Sequence, residues 1–408
     1  MAIYFYAFVW LISFSRNEQI QNLKTFKIQI LLFVGYFLFH VFGLLYTENM
    51  SDGLKFLEKS IGFIVLPILI LTGRRLAKNE CKAVFGSFIL SCSLLAGINL
   101  VHAGYRYVYS GNPEEFFYDT LSQTFDSHPI YISIYYLFCI ILLLAGYADH
   151  GRGKYRLIYF LAIFYFGIII ILLESKMVYT ISVILLSVVA FRLLYLRTES
   201  IAVTGFVIIA LIVGSVSFAV KTSQRFKEIA SFESLTILKE DRMTDFLKVN
   251  GLTLRVMFWK FSLEEFLSKN SLLLGLGTGD VQDFLDRTYE KHNMAITLDG
   301  KSTGYYGYDV HNQFLDIFLR LGLFGLCYFL FFIGYLLRFF YLRRNFVALS
   351  LFGSIGLLFF TETFLGLNKG IIFFAFFCSL FLLQEGNHSY RENSHSGDQR
   401  DPEQLRRV

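Results

Sequence analysis

Charged residues and prolines are scarce in this sequence, its cysteines form no pattern, and each of these features excludes a class of protein. Charged residues make up 17% of the 408 positions, whereas soluble proteins average about 25%. The net charge of +5 is not gathered into one basic patch, so we expect no nucleic-acid partner. The five cysteines form no CxxC pair and no metal-ligand spacing, so we interpret them as apolar filling and expect no metal.

Apolar residues are what the sequence has in excess. Hydrophobic residues reach 55%, phenylalanine alone contributes 47, and only four prolines interrupt the runs. A membrane-crossing helix needs about 20 such residues. The first run lacks the basic start and the cleavage site of a signal peptide. Eleven runs predict spans, at residues 1–14, 28–46, 61–72, 84–108, 130–147, 157–173, 177–196, 201–220, 313–337, 345–361 and 370–384.

Lysine and arginine are concentrated in every second loop, which predicts the orientation of these spans. The basic loops are residues 15–27, 73–83, 148–156, 192–200 and 338–345. Because basic loops stay in the cytoplasm, we expect the N-terminus and the long segment 221–310 outside it. An outer N-terminus is unusual and is compatible with a further helix upstream.

These features predict an all-α fold, a polytopic transmembrane helix bundle of about 11–12 spans with one large extracytoplasmic loop. The loop contains a helix-like stretch, Leu254–Leu267, so we expect it to fold as a lid on the bundle. We divide the chain into N-terminal transmembrane helices (1–220), the large loop (221–312), C-terminal transmembrane helices (313–385) and a disordered cytoplasmic tail (386–408).

Several short motifs follow one another in and after this loop. In chain order they are Arg255 with Trp259 on one helix face, Gly275, Gly277 and Gly279 in a glycine run, the pair His311 and Asn312 before a helix, and Gly322 with Gly325. Each alone has an ordinary structural explanation, as a solvated helix charge, a turn, an interface histidine or a packing face.

Together, and in this order, the motifs resemble the signature of the O-antigen ligase and polymerase superfamily. Other stretches resemble members of the same family, namely Gly43–Asn49, Leu57–Lys59, Leu66-Pro67, His128-Pro129-x-Tyr131, Ser175-Lys176, Glu362–Phe364 and Gly370–Phe377. The resemblance extends over about residues 40–385, and the loop motifs are its most specific part.

The resemblance implies a glycosyltransferase of the bacterial inner membrane that acts on the periplasmic side. The donor would be a glycan on undecaprenyl diphosphate, within the membrane lipid. The acceptor would be lipid A–core for a ligase and another lipid-linked repeat for a polymerase. Neither reaction is expected to need a metal or another cofactor, and both serve lipopolysaccharide or surface polysaccharide synthesis.

The leaving group of such a transfer is a lipid diphosphate, on which negative charge grows as the anomeric bond breaks. Arginine is permanently charged and binds phosphate with two donors, so it suits this position. Arg255 is the first candidate, and Arg225 or Arg242 is expected to provide a second cation.

The acceptor hydroxyl must lose a proton, and histidine is a suitable general base. His311 is the candidate, with His128 and His292 as rivals. Asn312 would orient His311 or bind a substrate oxygen. We place Trp259, His128 and the three glycines of the glycine run among the substrate-binding residues, although turn formation explains the glycines equally well.

Three functions compete. A ligase is slightly favoured over a polymerase, and both would use the same residues. A polysaccharide or lipid transporter is disfavoured because the charges Glu174, Lys176, Glu362 and Lys369 lie near span ends rather than inside spans. A noncatalytic membrane scaffold would tolerate alanine at Arg255 and His311.

Overall fold

The computed structural model describes residues 10–12, 16–125, 128–150, 155–222, 241–243, 250–269, 271–298 and 301–397. Most of these residues are helical, which confirms the all-α fold class. In chain order the longer helices are α1 (Arg16–Thr25), α2 (Lys27–Gly43), α3 (Met50–Ser60), α4 (Gly62–Leu71), α5 (Lys78–Ser110), α6 (Tyr118–Ser122), α7 (Pro129–His150), α8 (Tyr155–Leu172), α9 (Lys176–Thr198), α10 (Ile201–Thr222), α11 (Gly251–Leu267), α12 (Val281–Lys291), α13 (Gln313–Leu342), α14 (Phe346–Leu358) and α15 (Asn368–Gly397). Short 3-10 turns lie at Leu44–Tyr46, Pro113–Phe116, Gln123–Phe125 and Phe364–Gly366. Strands β1 (Ala295–Leu298) and β2 (Lys301–Gly304) pair antiparallel in the large loop.

Several helices are long and apolar enough to cross a membrane, so the chain is a multi-pass membrane protein. Among the described residues these are Lys27–Tyr46, Lys78–Ser110, Pro129–Tyr147, Tyr155–Leu172, Gln313–Leu342 and Asn368–Gly386. The runs in α9, α10 and α14 are shorter. Helix α4 has ten residues, or about 15 Å at 1.5 Å per residue, half of a hydrocarbon core. The predicted span 1–14 lies mostly outside the described residues.

Contacts between loops divide the bundle into two ends. At the end with the basic loops, the Trp10 indole donates to Thr72 (3.1 Å) and the Asn22 amide donates to the Gly73 carbonyl (2.9 Å). At the other end, the Tyr46 hydroxyl donates to the Leu274 carbonyl (2.5 Å). Asn22 and Gly73 belong to two loops that the charge alternation predicted on one side, and these loops contact each other. We call the second end the loop end.

Phenylalanine rings form much of the bundle core. Phe33 of α2 meets Phe332 of α13 edge to face at 5.0 Å, and Phe138 of α7 meets Phe377 of α15 in the same way at 4.7 Å. Edge-to-face pairs add to the contribution of apolar burial. The excess of phenylalanine in the composition is explained in part by these contacts between helices.

The large loop has an apolar core of its own. Helix α11, which contains the predicted stretch Leu254–Leu267, packs on α12 through buried Phe258, Phe261 and Tyr289. The described part of the loop is therefore folded, as a lid needs to be. Arg225 and the rest of 223–240 lie outside the described residues.

Two segments differ from the expectations. Helix α3 was not predicted, because an eleven-residue helix with one polar face does not form a long apolar run. Helix α15 continues to Gly397, so residues 386–397 are helical where the sequence predicted disorder. Extending an existing helix costs far less than starting one. Residues 398–408 lie outside the described part of the chain.

Candidate active site

One buried carboxylate joins the two residues that the motifs singled out. Arg255 Nη2 lies 2.5 Å from Glu362 Oε1, and His311 Nδ1 lies 3.2 Å from Glu362 Oε2. Arg255 comes from α11, His311 directly precedes the N-cap of α13, and Glu362 lies between α14 and α15. Glu362 is only 7% exposed. The fold thus brings three distant parts of the chain together at the loop end.

Arg255 is held in a fixed orientation by backbone oxygens. Its Nε donates to the Thr361 carbonyl at 3.0 Å, and its Nη1 donates to the Gly251 carbonyl at 3.2 Å. With Nη2 on Glu362, each guanidinium nitrogen has a protein acceptor. A preorganised guanidinium loses little freedom when it meets an anion.

The backbone around His311 is fixed from two sides. His311 has a positive φ of +46°, which is uncommon for a residue with a side chain. Its amide donates to Asp309 Oδ1 at 2.8 Å, and the other Asp309 oxygen accepts from the Thr363 hydroxyl. Trp259 Nε1 donates to the carbonyl of the preceding Val310 at 2.8 Å. Trp259 therefore positions the histidine backbone.

Asn312 caps the helix that follows. Its Oδ1 accepts from the Leu315 amide at 3.0 Å, and its Nδ2 donates to the Phe360 carbonyl at 3.2 Å. Such a cap satisfies an amide that the first helical turn leaves unpaired. Asn312 thus ties α13 to the segment that carries Glu362.

The electrostatics favour an ionised Glu362 and a histidine that binds protons more tightly than usual. Burial lowers the pKa of His311, but the hydrogen bond to Glu362 and the charges of Asp309 and Glu362 outweigh burial and raise it above its ordinary value. Burial raises the pKa of Glu362, but His311 and Arg255 outweigh burial and hold it below its ordinary value. An ionised carboxylate only accepts hydrogen bonds, so Nδ1 of His311 donates to Glu362. When His311 is neutral, its lone pair therefore lies on the other ring nitrogen, Nε2.

A cavity of about 180 Å³ lies against Arg255 and Glu362. Three helices begin in its wall, α7 at Pro129, α9 at Lys176 and α11 at Gly251. Helix N-termini carry partial positive charge and favour anions. His128 lines this cavity and also a neighbouring one of about 530 Å³, whose wall includes Lys59 and Asp119. The arrangement can hold an anionic group beside a larger cleft.

Two other predicted residues lie away from this cavity. Arg242 is exposed, and the amide of the next residue, Met243, bonds to the backbone of His292. The His292 ring stacks on Phe261 at 4.0 Å, with Nδ1 2.6 Å from the Asp241 carbonyl and Nε2 3.3 Å from Glu265. The geometry of His292 is that of a structural residue.

The glycine run also lies outside this cavity and packs against the bundle. Gly275 and Gly277 have φ angles of +81° and +111°. A Cβ on Gly275 would come 2.5 Å from the backbone nitrogen of Gly322, and one on Gly279 would come 2.1 Å from the Asn49 carbonyl. The amides of Gly275, Leu276, Gly277, Thr278 and Gly279 donate to protein oxygens at 2.7–3.3 Å. This geometry favours the turn explanation over a phosphate-binding one.

Gly322 and the glycine run form one unit. Gly322 interrupts α13 with φ +62° and ψ −160°. The amides of Leu323 and Phe324 donate instead to the carbonyls of Leu272 and Leu273, at 2.9 and 3.3 Å. A larger cavity of about 940 Å³ adjoins this unit but is not lined by Arg255, Glu362 or His311. We therefore place the candidate site by its chemistry and not by cavity size.

The sequence reasoning missed Glu362 and Asp309 as site residues. Glu362 follows an apolar run at the end of a predicted span, and Glu362–Phe364 is one of the stretches that resemble the family. That signal was available, but the partners of Glu362 are 51 and 107 positions away in the chain. Within the described residues, no group of three or more His, Cys, Asp or Glu could hold a metal ion.

A family model described as O-antigen ligase matches residues 137–330. The match begins within α7, includes Arg255, the glycine run and His311, and ends within α13. It confirms the resemblance that the loop motifs predicted. No curated protein matches the chain.

Proposed function

Since residues 137–330 belong to the O-antigen ligase and polymerase superfamily, we propose that the protein moves a glycan from undecaprenyl diphosphate to an acceptor sugar hydroxyl. The observation that carries this proposal is one buried carboxylate, Glu362, which contacts both Arg255 and His311 and lines a cavity together with Arg255. A cation for the leaving group and a base for the incoming group are thereby fixed relative to each other. We propose a ligase, with lipid A–core as the acceptor.

Arg255 acts on the leaving group. As the bond from the anomeric carbon to the diphosphate oxygen breaks, the electron pair stays on that oxygen. A guanidinium in a partly dehydrated site stabilises this charge much more than it would in water. We propose that protein cations meet the charge without a metal ion, since Arg255 is already held against the cavity by Thr361 and Gly251.

His311 acts on the acceptor. Nε2 takes the proton of the acceptor hydroxyl while the hydroxyl oxygen bonds to the anomeric carbon, and undecaprenyl diphosphate departs from the opposite face. One displacement inverts the anomeric carbon. Glu362 fixes the tautomer and stabilises the imidazolium that forms. The proton finally rests on His311 and is lost to water.

The loop end faces the periplasm in this proposal. The opposite end carries the basic loops, which stay in the cytoplasm of the bacterial inner membrane. A cysteine at exposed Arg242 should react with a membrane-impermeant maleimide added to intact spheroplasts. Reaction only after the membrane is opened would place the site in the cytoplasm and reject the proposal.

Deletion and complementation test the function itself. Without the gene, a ligase defect leaves lipid A–core bare on a gel while lipid-linked polymer accumulates. Arg255→Ala and His311→Ala should fail to restore the polysaccharide ladder. Arg242→Ala removes the same charge away from the cavity and should restore it. Full ladders from the first two variants at normal protein level would reject the site, and core carrying one repeat would identify a polymerase.

A further inference from the structure

The cavity of about 940 Å³ beside the glycine run lies at the edge of the membrane. Helix α13 carries no charged residue between Arg320 and Arg338. This uncharged stretch, 321–337, is about 26 Å long at 1.5 Å per residue, close to the thickness of a hydrocarbon core. Phe324 lines the cavity and lies near the start of the stretch, toward the loop end. The cavity is therefore beside the point where α13 enters the membrane.

Three consecutive leucines of the large loop lie at the same depth as Phe324. The amides of Leu323 and Phe324 donate to the carbonyls of Leu272 and Leu273. The leucines Leu272, Leu273 and Leu274 line the cavity together with Phe324, and each of these side chains is about half exposed. Exposed apolar patches mark surfaces for a membrane or a partner. Because this patch adjoins a membrane-crossing helix, lipid is the occupant that fits it.

Two cations of the large loop line the same cavity. Lys269 follows the end of α11, and its Nζ lies 5.1 Å from the centre of the Phe284 ring. Arg287 lies one turn after Phe284 in α12, on the same helix face. Both cations are exposed, and within the described residues neither forms an ion pair. Two unpaired cations beside an apolar wall suit the phosphate of a lipid headgroup.

The acidic residues of the cavity wall narrow the choice of lipid. Asp280 is already engaged, because its carboxylate accepts from the amides of Glu48 and Asn49 at 2.7–3.1 Å. The side chain of Glu48 is exposed and forms no ion pair in the part of the chain that the structure describes. A purely anionic headgroup would be repelled by this carboxylate, whereas an ammonium group would pair with it.

We propose that this cleft binds a phospholipid with a phosphoethanolamine headgroup. The phosphate lies between Lys269 and Arg287, and the ammonium group meets Glu48. The acyl chains run along the three leucines and Phe324 into the bilayer. The amides of the glycine run take no part, because they already donate to protein oxygens. The bound lipid joins α11 and α12 of the large loop to α13 at the membrane surface.

Thermal unfolding of the purified full chain in detergent tests the inference, because a ligand of the folded state raises the melting temperature. Added phosphatidylethanolamine should raise it more than phosphatidylglycerol or phosphatidylcholine does. Phosphatidylglycerol lacks the ammonium group, and the trimethylated ammonium of phosphatidylcholine has no hydrogen to donate to Glu48. An equal or larger effect of phosphatidylglycerol, or a larger effect of lipid A, would overturn the inference.

Charge variants test where the headgroup lies. Lys269→Ala and Arg287→Ala should each weaken binding of phosphatidylethanolamine about two- to fivefold, since both cations are exposed and water screens their attraction for phosphate. Glu48→Gln should remove the preference for phosphatidylethanolamine over phosphatidylglycerol. Lys55→Ala and Glu264→Gln change exposed charges outside the cavity and should leave both affinity and preference unchanged.

An apolar variant tests where the acyl chains lie. Leu273→Glu places a charge in their path and should weaken binding of all three phospholipids, whereas Leu263→Glu adds the same charge to an exposed position outside the cavity and should not. Native mass spectrometry counts bound lipid directly, so a variant of lower stability still gives a result. Normal lipid binding by Lys269→Ala, Arg287→Ala and Leu273→Glu would overturn the inference. The proposed transfer would then still stand, since none of these residues lines the cavity beside Arg255.

Discussion

Two arginines at the loop end each pair with a buried acid, but they serve different purposes. Arg320 bonds to Asp316 one turn away in α13, donates to the Thr278 carbonyl at 2.6 Å and lies 4.4 Å from the centre of the Phe56 ring. Arg255 bonds to Glu362 across 107 residues and borders a cavity. The first pair fastens the glycine run to the bundle, whereas the second meets the substrate in the function that we propose.

The comparison divides the motif set into two parts. The glycines and Gly322 belong with Arg320, because their amides and close backbone contacts are all with protein. Arg255, Trp259, His311 and Asn312 belong with Glu362. The motifs that follow one another from Arg255 to Gly325 thus contain a structural half and, in the proposed function, a chemical half. Substitutions in the first half should change stability, and those in the second should change activity.

The largest difference in activity is expected between His311→Ala and His292→Ala, which removes another histidine of the large loop. Loss of a general base lowers the rate by about 10²–10⁴-fold, and His311→Ala should do so with little change in melting temperature. His292→Ala should lower the melting temperature and retain activity in the folded fraction. Transfer from the lipid-linked donor, measured with purified protein, gives the rates of the two variants. Thermal unfolding in detergent gives their melting temperatures. Comparable rates for His311→Ala and unchanged protein would reject the assignment.

Arg320→Ala should destabilise the protein severely. It leaves Asp316, which is 2% exposed, as an unpaired buried carboxylate, and breaking such a pair costs about 3–5 kcal/mol. Thermal unfolding in detergent measures the loss. Arg255→Ala should unfold closer to the unchanged protein yet be inactive. An active, stable Arg320→Ala protein would show that the pairing of Arg320 with Asp316 contributes little to stability.

Gly322→Ala should lower the stability of the protein less than Arg320→Ala does, but by an amount that is still easy to measure. The new Cβ would meet the carbonyl of Leu273 at 2.4 Å, and the backbone would be held in a conformation that costs about 1–3 kcal/mol for a residue with a side chain. Gly334 lies in the same helix with no such contact. Gly334→Ala should leave the melting temperature unchanged or raise it. A similar effect at both positions would contradict the proposed packing.

Glu362→Gln gives the most specific change, a shift in the pH dependence of activity. His311 works as a base only when neutral, so activity should rise with pH through its pKa. Glu362 helps to raise that pKa, so its replacement by glutamine should move the acidic limb of the kcat/KM profile to lower pH. The shape of the side chain is kept. A limb that stays in place or moves to higher pH would show that Glu362 does not act on His311.

The sequence predicted the helical class and most helix positions, and it singled out the two residues that Glu362 brings together, Arg255 and His311, because apolar runs and short motifs are local signals. It left Glu362 out, because its contact with Arg255 exists only in the folded chain. It left the glycines between two explanations, since positive φ serves turns and phosphate binding alike. The amphipathic helix Met50–Ser60 was missed because an eleven-residue helix with one polar face forms no long apolar run.

The position of the diphosphate is the most direct test of the account. A cryo-electron microscopy structure with bound undecaprenyl diphosphate should place the phosphates in the cavity that Arg255 and Glu362 line. Phosphates bound instead at the glycine run, on the amides of Gly275–Gly279, would contradict the division between a structural half and a chemical half.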